Sequence, residues 1–238
     1  KDKGKTHCHG GKEGLDVKNW NAQILKDGVK FTYTKKDMEG GYPANVKMSV
    51  TYKFDNDNNL SIKYEAETDN DTILNLTNHS YFNLDGAENA QENSVMEHSV
   101  QLPNSSKYTP VNEIAIPTGE IKSVEGTEFD FRAPKKLSEM NKNGYDQNFV
   151  IDNYDGKTLI EAANVLTDLP GLQVYTANNL GKSEQPLGKH AKRYEKHSAF
   201  CVEPQFFPDA INTFDEKPVL KKGEKYNRTI IYSFNTEK

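Results

Sequence analysis

An all-β chain of antiparallel strands is what this sequence predicts, and three observations carry that reading. Period-two alternation of apolar and polar residues, rich in β-branched and aromatic side chains, recurs along it. Clusters of turn-forming residues separate these runs, and helical periodicity is scarce.

Taken in order, Val46 to Phe54 (VKMSVTYKF) alternates throughout and reads as a strand. Asp55-Asn56-Asp57-Asn58-Asn59 supplies a turn, and residues 60–66 (LSIKYEA) return as the next strand. Residues 135–140 have room for one or two helical turns. Residues 171–176 (GLQVYT) and 229–234 (TIIYSF) are further strands, set off by Asp155-Gly156 and Lys222-Gly223-Glu224. Short strands at this spacing fit an antiparallel sandwich or barrel better than βαβ units. No internal repeat or low-complexity linker interrupts the pattern, so residues 1–238 read as a single domain.

Composition narrows the partners. The formal net charge of -5 comes without long basic runs, which argues against nucleic acid. No apolar run approaches the roughly 18 residues of a membrane span, so no membrane partner is expected. Two cysteines, Cys8 and Cys201, do not make a disulfide framework. Asn-x-Ser/Thr sequons at Asn59, Asn70, Asn75, Asn78, Asn104 and Asn227 read as chance matches in an Asn-rich chain. Cytoplasm is the default compartment, with secretion left open.

Three segments combine ionisable residues with tight backbone punctuation. In Thr6-His7-Cys8-His9-Gly10-Gly11 the His-x-His pair reads either as incidental loop histidines or as a metal pair. No third and fourth ligand follow at metal-site spacing, so no metal is expected. Asn75 to Leu84 (NLTNHSYFNL) packs polar residues into an aromatic strand, where His79 is either a satisfied structural residue or a proton-transfer group. In Phe200 to Gln205 (FCVEPQ) an apolar strand carries Glu203, which is either paired for structure or tuned for proton transfer. A carboxylate with one or two imidazoles is the usual kit for acid–base catalysis near neutral pH. Nucleophile-elbow and phosphate-loop motifs are missing.

At these residues the chain resembles the aldose 1-epimerase (galactose mutarotase) family. His9-Gly10-Gly11 with Gly14-Leu15-Asp16 and Trp20, Gly41-Tyr42-Pro43, and Leu76 to Leu84 (LTNHSYFNL) are similar to its successive motifs. The order continues through Tyr108-Thr109-Pro110, Ile116 to Gly119, Gly126-Thr127 and Phe129 to Arg132. Gly144 to Val150 (GYDQNFV), residues 171–176 and Phe200 to Ala210 (FCVEPQFFPDA) complete it.

The resemblance implies a galactose mutarotase-like β-sandwich with few short helices, acting on a small-molecule aldohexose without a cofactor. It implies that Glu203 is the base removing the C1 hydroxyl proton and His79 the acid protonating the ring oxygen. His9, Asp146 and Gln173 would contact the sugar. Tyr81, Phe82 and Tyr175 either face the ring or pack in the core, and a Cys8–Cys201 disulfide is conceivable. Two positions depart from the family pattern: Gln147 stands where His is common, and Pro204 where Thr is common. The family's N-terminal strands and its GR-x-(A/G)-NR segment have no counterpart in this sequence, so the resemblance implies a domain incomplete at its N-terminus. Alternatives are a hexose-6-phosphate 1-epimerase, or a non-catalytic sugar-binding or structural subunit of the same fold.

Overall fold

Alternation decides which side of each strand goes inward, and the computed structural model, which describes residues 6–181 and 187–236, shows the result. The polar opening run, residues 1–5, lies outside the described residues. The first strands are β1 (Asn21–Leu25), β2 (Gly28–Lys35), β3 (Val46–Phe54), β4 (Asn59–Thr68) and β5 (Thr72–Ile73). Short strands β6 (Ser99–Val100), β7 (Lys107–Tyr108), β8 (Lys122–Ser123) and β9 (Lys135–Lys136) follow. Helix α1 (Leu137–Met140) leads into β10 (Asp146–Val150), β11 (Ile160–Ala162), β12 (Val165–Thr167), β13 (Gly171–Tyr175) and β14 (Cys201–Gln205). Helix α2 (Ala210–Thr213), β15 (Val219–Leu220) and β16 (Lys225–Ser233) close the order.

Two sheets dominate. One has seven strands in the order β1-β2-β3-β4-β16-β12-β11, the other five in the order β14-β13-β10-β7-β8. Every strand pair among the described residues is antiparallel. Met48 of β3, Ile62 and Tyr64 of β4, and Ile230 and Tyr232 of β16 point into the core; Lys47, Lys63 and Glu67 between them stay exposed. Phe149, Leu172, Val174 and Val202 of the small sheet meet them in the same cluster. Each such side chain contributes about 1.5–3 kcal/mol through burial. The Tyr232 hydroxyl crosses the interface and donates to the Val202 carbonyl at 2.9 Å, tying β16 to β14.

Four sequence expectations change in extent or kind. The second strand runs longer than 60–66, because β16 pairs with it along nine residues from Lys225↔Glu67 to Ser233↔Asn59. For the same reason the last strand starts at Lys225 and not at 229. Residues 135–140 form a two-residue strand against β6 and a single helical turn. Asn75 to Leu84, expected as an aromatic strand, is outside the sheets and makes one isolated bridge, Phe82 to Phe200; Asn75 and Thr77 bond through their side chains to Phe206 and Pro204.

A buried lysine shapes the loop after β2. Lys35 is only 7% exposed. Its ammonium donates to the carbonyls of Lys36 (2.9 Å), Tyr42 (2.8 Å) and Ala44 (2.9 Å). The Lys36 carbonyl also accepts the Glu39 N–H, so the ammonium matters most to the carbonyls of Tyr42 and Ala44. The loop then presents Tyr42, whose hydroxyl hydrogen-bonds His7 Nδ1 at 2.7 Å and so anchors the segment bearing His9. Replacing Lys35 with Met keeps the stem and removes the ammonium from the Tyr42 and Ala44 carbonyls. We expect Lys35→Met to cost on the order of 2 kcal/mol in urea unfolding; an unchanged unfolding midpoint would mean that the clamp contributes nothing to stability.

Candidate active site

The small sheet has one apolar and one polar face, set by register. Asp146, Tyr175 and Cys201 lie in one row across β10, β13 and β14, and Asn148, Gln173 and Glu203 in the next. Side chains two residues apart share a face, so these six share the face opposite Phe149, Leu172, Val174 and Val202. Glu203 is 4% exposed there, despite its charge.

His79 arrives from the sheetless segment 74–81, which is clamped along the outer edge of β14. Asn75 donates to the Phe206 carbonyl (3.1 Å) and accepts from its N–H (3.0 Å). The Thr77 hydroxyl donates to the Pro204 carbonyl at 2.7 Å, and Phe82 exchanges two backbone bonds with Phe200. Ser80 N–H closes a local turn on the Asn78 side chain. Held this way, His79 Nε2 stands 3.6 Å from Glu203 Oε1.

Aromatic rings fix the imidazole. His79 stacks on Tyr81 at 5.1 Å between centroids and meets Tyr175 edge-on at 6.0 Å. His9 meets it edge-on at 5.3 Å. His9 itself has a left-handed backbone, φ 53°, at the head of a tight turn closed by Gly11 N–H to the Cys8 carbonyl. Gly11 must lack a Cβ, which would fall 2.1 Å from the His7 ring. Phe82, by contrast, packs against Phe200 and Tyr232, in the core and away from the site.

Every residue expected at the site is placed near this pair. Asp146 is exposed at the rim and accepts from Gln173 Nε2 at 2.8 Å. Gln173 pairs in register with Glu203. Gln173 Oε1 and His79 Nδ1 are buried and have no hydrogen-bond partner among the described residues. Sequence reading does not assign Asn75 and Thr77 their part in the site, because their bonds to residues 204–206 span more than 120 residues of chain. Cys8 and Cys201 both remain thiols, so the conceivable disulfide is not formed. Cys201 instead joins His79 and Glu203, with one potential ligand atom from each lying within 4.8 Å of the others.

Burial sets the electrostatics. Glu203 is pushed up to about 8, first by desolvation and then by the negative charge of Asp146. Desolvation moves His79 the other way, below its ordinary 6.5. The two shifts thus reverse the ordinary order of the pair: the carboxyl becomes the stronger base and the imidazole the stronger acid, which matches a base and an acid in one proton exchange.

The Glu203 shift has a stability consequence. A carboxyl at about 8 when folded and near 4.5 when unfolded holds its proton more tightly in the fold. Its contribution is complete below about 4.5 and is lost as pH rises through about 8. We expect Glu203→Gln, which cannot ionise, to be more stable than the parent at about pH 9 by on the order of 3 kcal/mol, with the gap closing near pH 5. Equal differences at both pH values in urea unfolding would refute a raised Glu203.

Comparison with known proteins follows the same lines. The aldose 1-epimerase family model matches residues 1–233. Bovine galactose mutarotase is 39% identical over 246 aligned residues, covering 98% of this chain and 70% of the relative. Aldose 1-epimerase of Escherichia coli K12 is 33% identical over 257, covering 98% and 72%. Among solved structures, a GalM/aldose epimerase homologue from C. elegans superposes with a TM-score of 0.82 at 31% identity, covering 96% of this chain and 72% of that one. Galactose 1-epimerase from Lactobacillus acidophilus NCFM gives 0.74 at 28%, covering 94% and 68%. Among the described residues no helix is long and apolar enough to cross a membrane.

Proposed function

The chain belongs to the aldose 1-epimerase family, and on that premise we propose that Glu203 and His79 carry out its proton transfers. The protein interconverts the α and β anomers of free aldohexoses of the glucose and galactose type. The observation that carries the assignment of roles is a buried carboxylate 3.6 Å from a partly exposed imidazole, at the floor of a polar face.

Glu203 takes the proton from the C1 hydroxyl while His79 gives one to the ring oxygen. The C1–O bond of the ring breaks, the C1–oxygen bond left behind becomes the carbonyl of a free aldehyde, and no atom is lost. Rotation about C1–C2 turns the other carbonyl face toward the ring-closing hydroxyl. Closure runs the two transfers backwards: the imidazole recovers its proton, and Glu203 returns one to the new anomeric oxygen. His9 sits within ring contact of His79 and bonds the sugar near its reacting end. Asp146 and Gln173, linked to each other, hold hydroxyls further out.

The working pair carries one proton between its two groups. Below the lowered imidazole value a second proton silences the base; above about 8 the last proton leaves and no acid remains. Polarimetry with fresh α-D-galactose and α-D-glucose should therefore give a bell-shaped profile of kcat/KM, with an acid limb below 6.5 and an alkaline limb near 8. Asp146→Asn removes a charge that raises Glu203 and should move the alkaline limb downward. Glu203→Gln and His79→Asn should each reduce mutarotation by about 10²–10⁴-fold. Full activity in either variant would overturn these roles, and sugar binding with no anomer interconversion by the parent would favour a binding subunit.

A further inference from the structure

Beside the proton-transfer pair lies a thiol that the reaction does not use. Cys201 is fully buried, yet the two-residue period of β14 puts it on the same face as Glu203. The loop clamped to that strand brings His79 alongside, so a nitrogen, a sulfur and a carboxylate oxygen lie within 4.8 Å of one another. No sequence spacing announces this set, because its members come from two segments more than a hundred residues apart.

We propose that this cluster is an inhibitory site for a borderline or soft divalent cation of the zinc and cadmium class, bound by an imidazole nitrogen of His79, Cys201 Sγ and a Glu203 carboxylate oxygen. Mixed nitrogen, sulfur and oxygen donors select such ions over magnesium or calcium. Metal–ligand bonds of about 2.0–2.3 Å place tetrahedral ligands about 3.5 Å apart. The Glu203–His79 separation of 3.6 Å already meets that, and the sulfur needs a shift of about 1 Å, within rotamer adjustment. Three protein ligands leave the fourth position open to water or a sugar hydroxyl. On binding, the thiol proton and any proton held by the carboxyl pass to solvent, and the cation replaces them as the positive partner. The ion then occupies both groups the reaction needs, which makes it competitive with the aldose.

Inhibition rests on the proposed roles of Glu203 and His79; binding of the cation does not, and absorbance reads it independently of activity. Cadmium is the probe, because its thiolate complex has an ultraviolet charge-transfer band. Titration of the parent chain should give the band at one equivalent. Cys8→Ala should retain it, while Cys201→Ala and Cys201→Ser should lose it. Glu203→Gln, which relieves a buried charge and so should fold well, should weaken cadmium binding by about tenfold or more. Mutarotation by the parent should fall with cadmium and recover with a chelator. Cys201→Ala should keep its basal rate and resist cadmium by about tenfold or more. A band that survives in the Cys201 variants, or disappears in Cys8→Ala, would place the ion at the His7–His9 segment and overturn the proposal. So would unchanged cadmium affinity in Glu203→Gln. If the parent has no mutarotase activity but the band follows Cys201 and Glu203, the catalytic reading fails and the metal site stands.

Discussion

The site depends on how the outer edge of β14 is satisfied. In an extended strand the N–H and C=O of one residue point to the same side, and alternate residues point to opposite sides. Cys201, Glu203 and Gln205 spend theirs on β13, where register holds them. Phe200, Pro204 and Phe206 point theirs away from the sheet, to Phe82, Thr77 and Asn75. Val202 offers its carbonyl to Tyr232. Pro204 has no N–H to lose at that edge, so the residue that looks disruptive within a strand costs no ladder bond. An exposed edge is also a template for unwanted pairing. In this fold one sheetless segment covers it and delivers the imidazole in the same stroke.

Such covering explains how a carboxylate survives inside. Glu203 finds no lysine or arginine opposite it among the described residues; its charged neighbours are a partly exposed imidazole and the repelling Asp146. A buried charge so poorly compensated is destabilising, and the fold tolerates it because the apolar core lies on the opposite face of the same strands. Tyr81 and Tyr175 crowd the site with polarisable but uncharged groups. That environment raises the carboxyl toward neutrality without holding it in an ion pair. The stability it forgoes is the counterpart of its basicity.

Legibility from sequence followed the range of the interactions. Alternation is local, so β3 and β13 were readable almost to the residue, and the acid–base kit of His79 and Glu203 stood out because polar groups in apolar strands need a reason. Strand extent was less readable: β4 and β16 lengthen each other through pairing across more than 150 residues of chain. Asn75 to Leu84 reads as a strand because its aromatic and β-branched residues mimic one, while its backbone makes only the isolated Phe82–Phe200 bridge. Lys35 gives no signal either, since a lysine next to another lysine looks like solvated surface until its carbonyl partners are seen.

Two kinds of support serve the two groups proposed to transfer protons, and the difference suits that chemistry. Glu203, Gln173 and Asp146 sit on sheet strands locked by register, so their spacing is set by the backbone ladder. His79 and His9 sit on loops held at their ends by Asn75, Thr77 and Phe82 on one side and by Tyr42 on the other. In the proposed reaction Asp146 and Gln173 hold the distal hydroxyls while rotation about C1–C2 turns the carbonyl. A base on the same rigid sheet keeps its spacing to those contacts through the rotation. The imidazole on its clamped loop is oriented by packing against His9, Tyr81 and Tyr175, so ring contacts do for His79 what strand register does for Glu203.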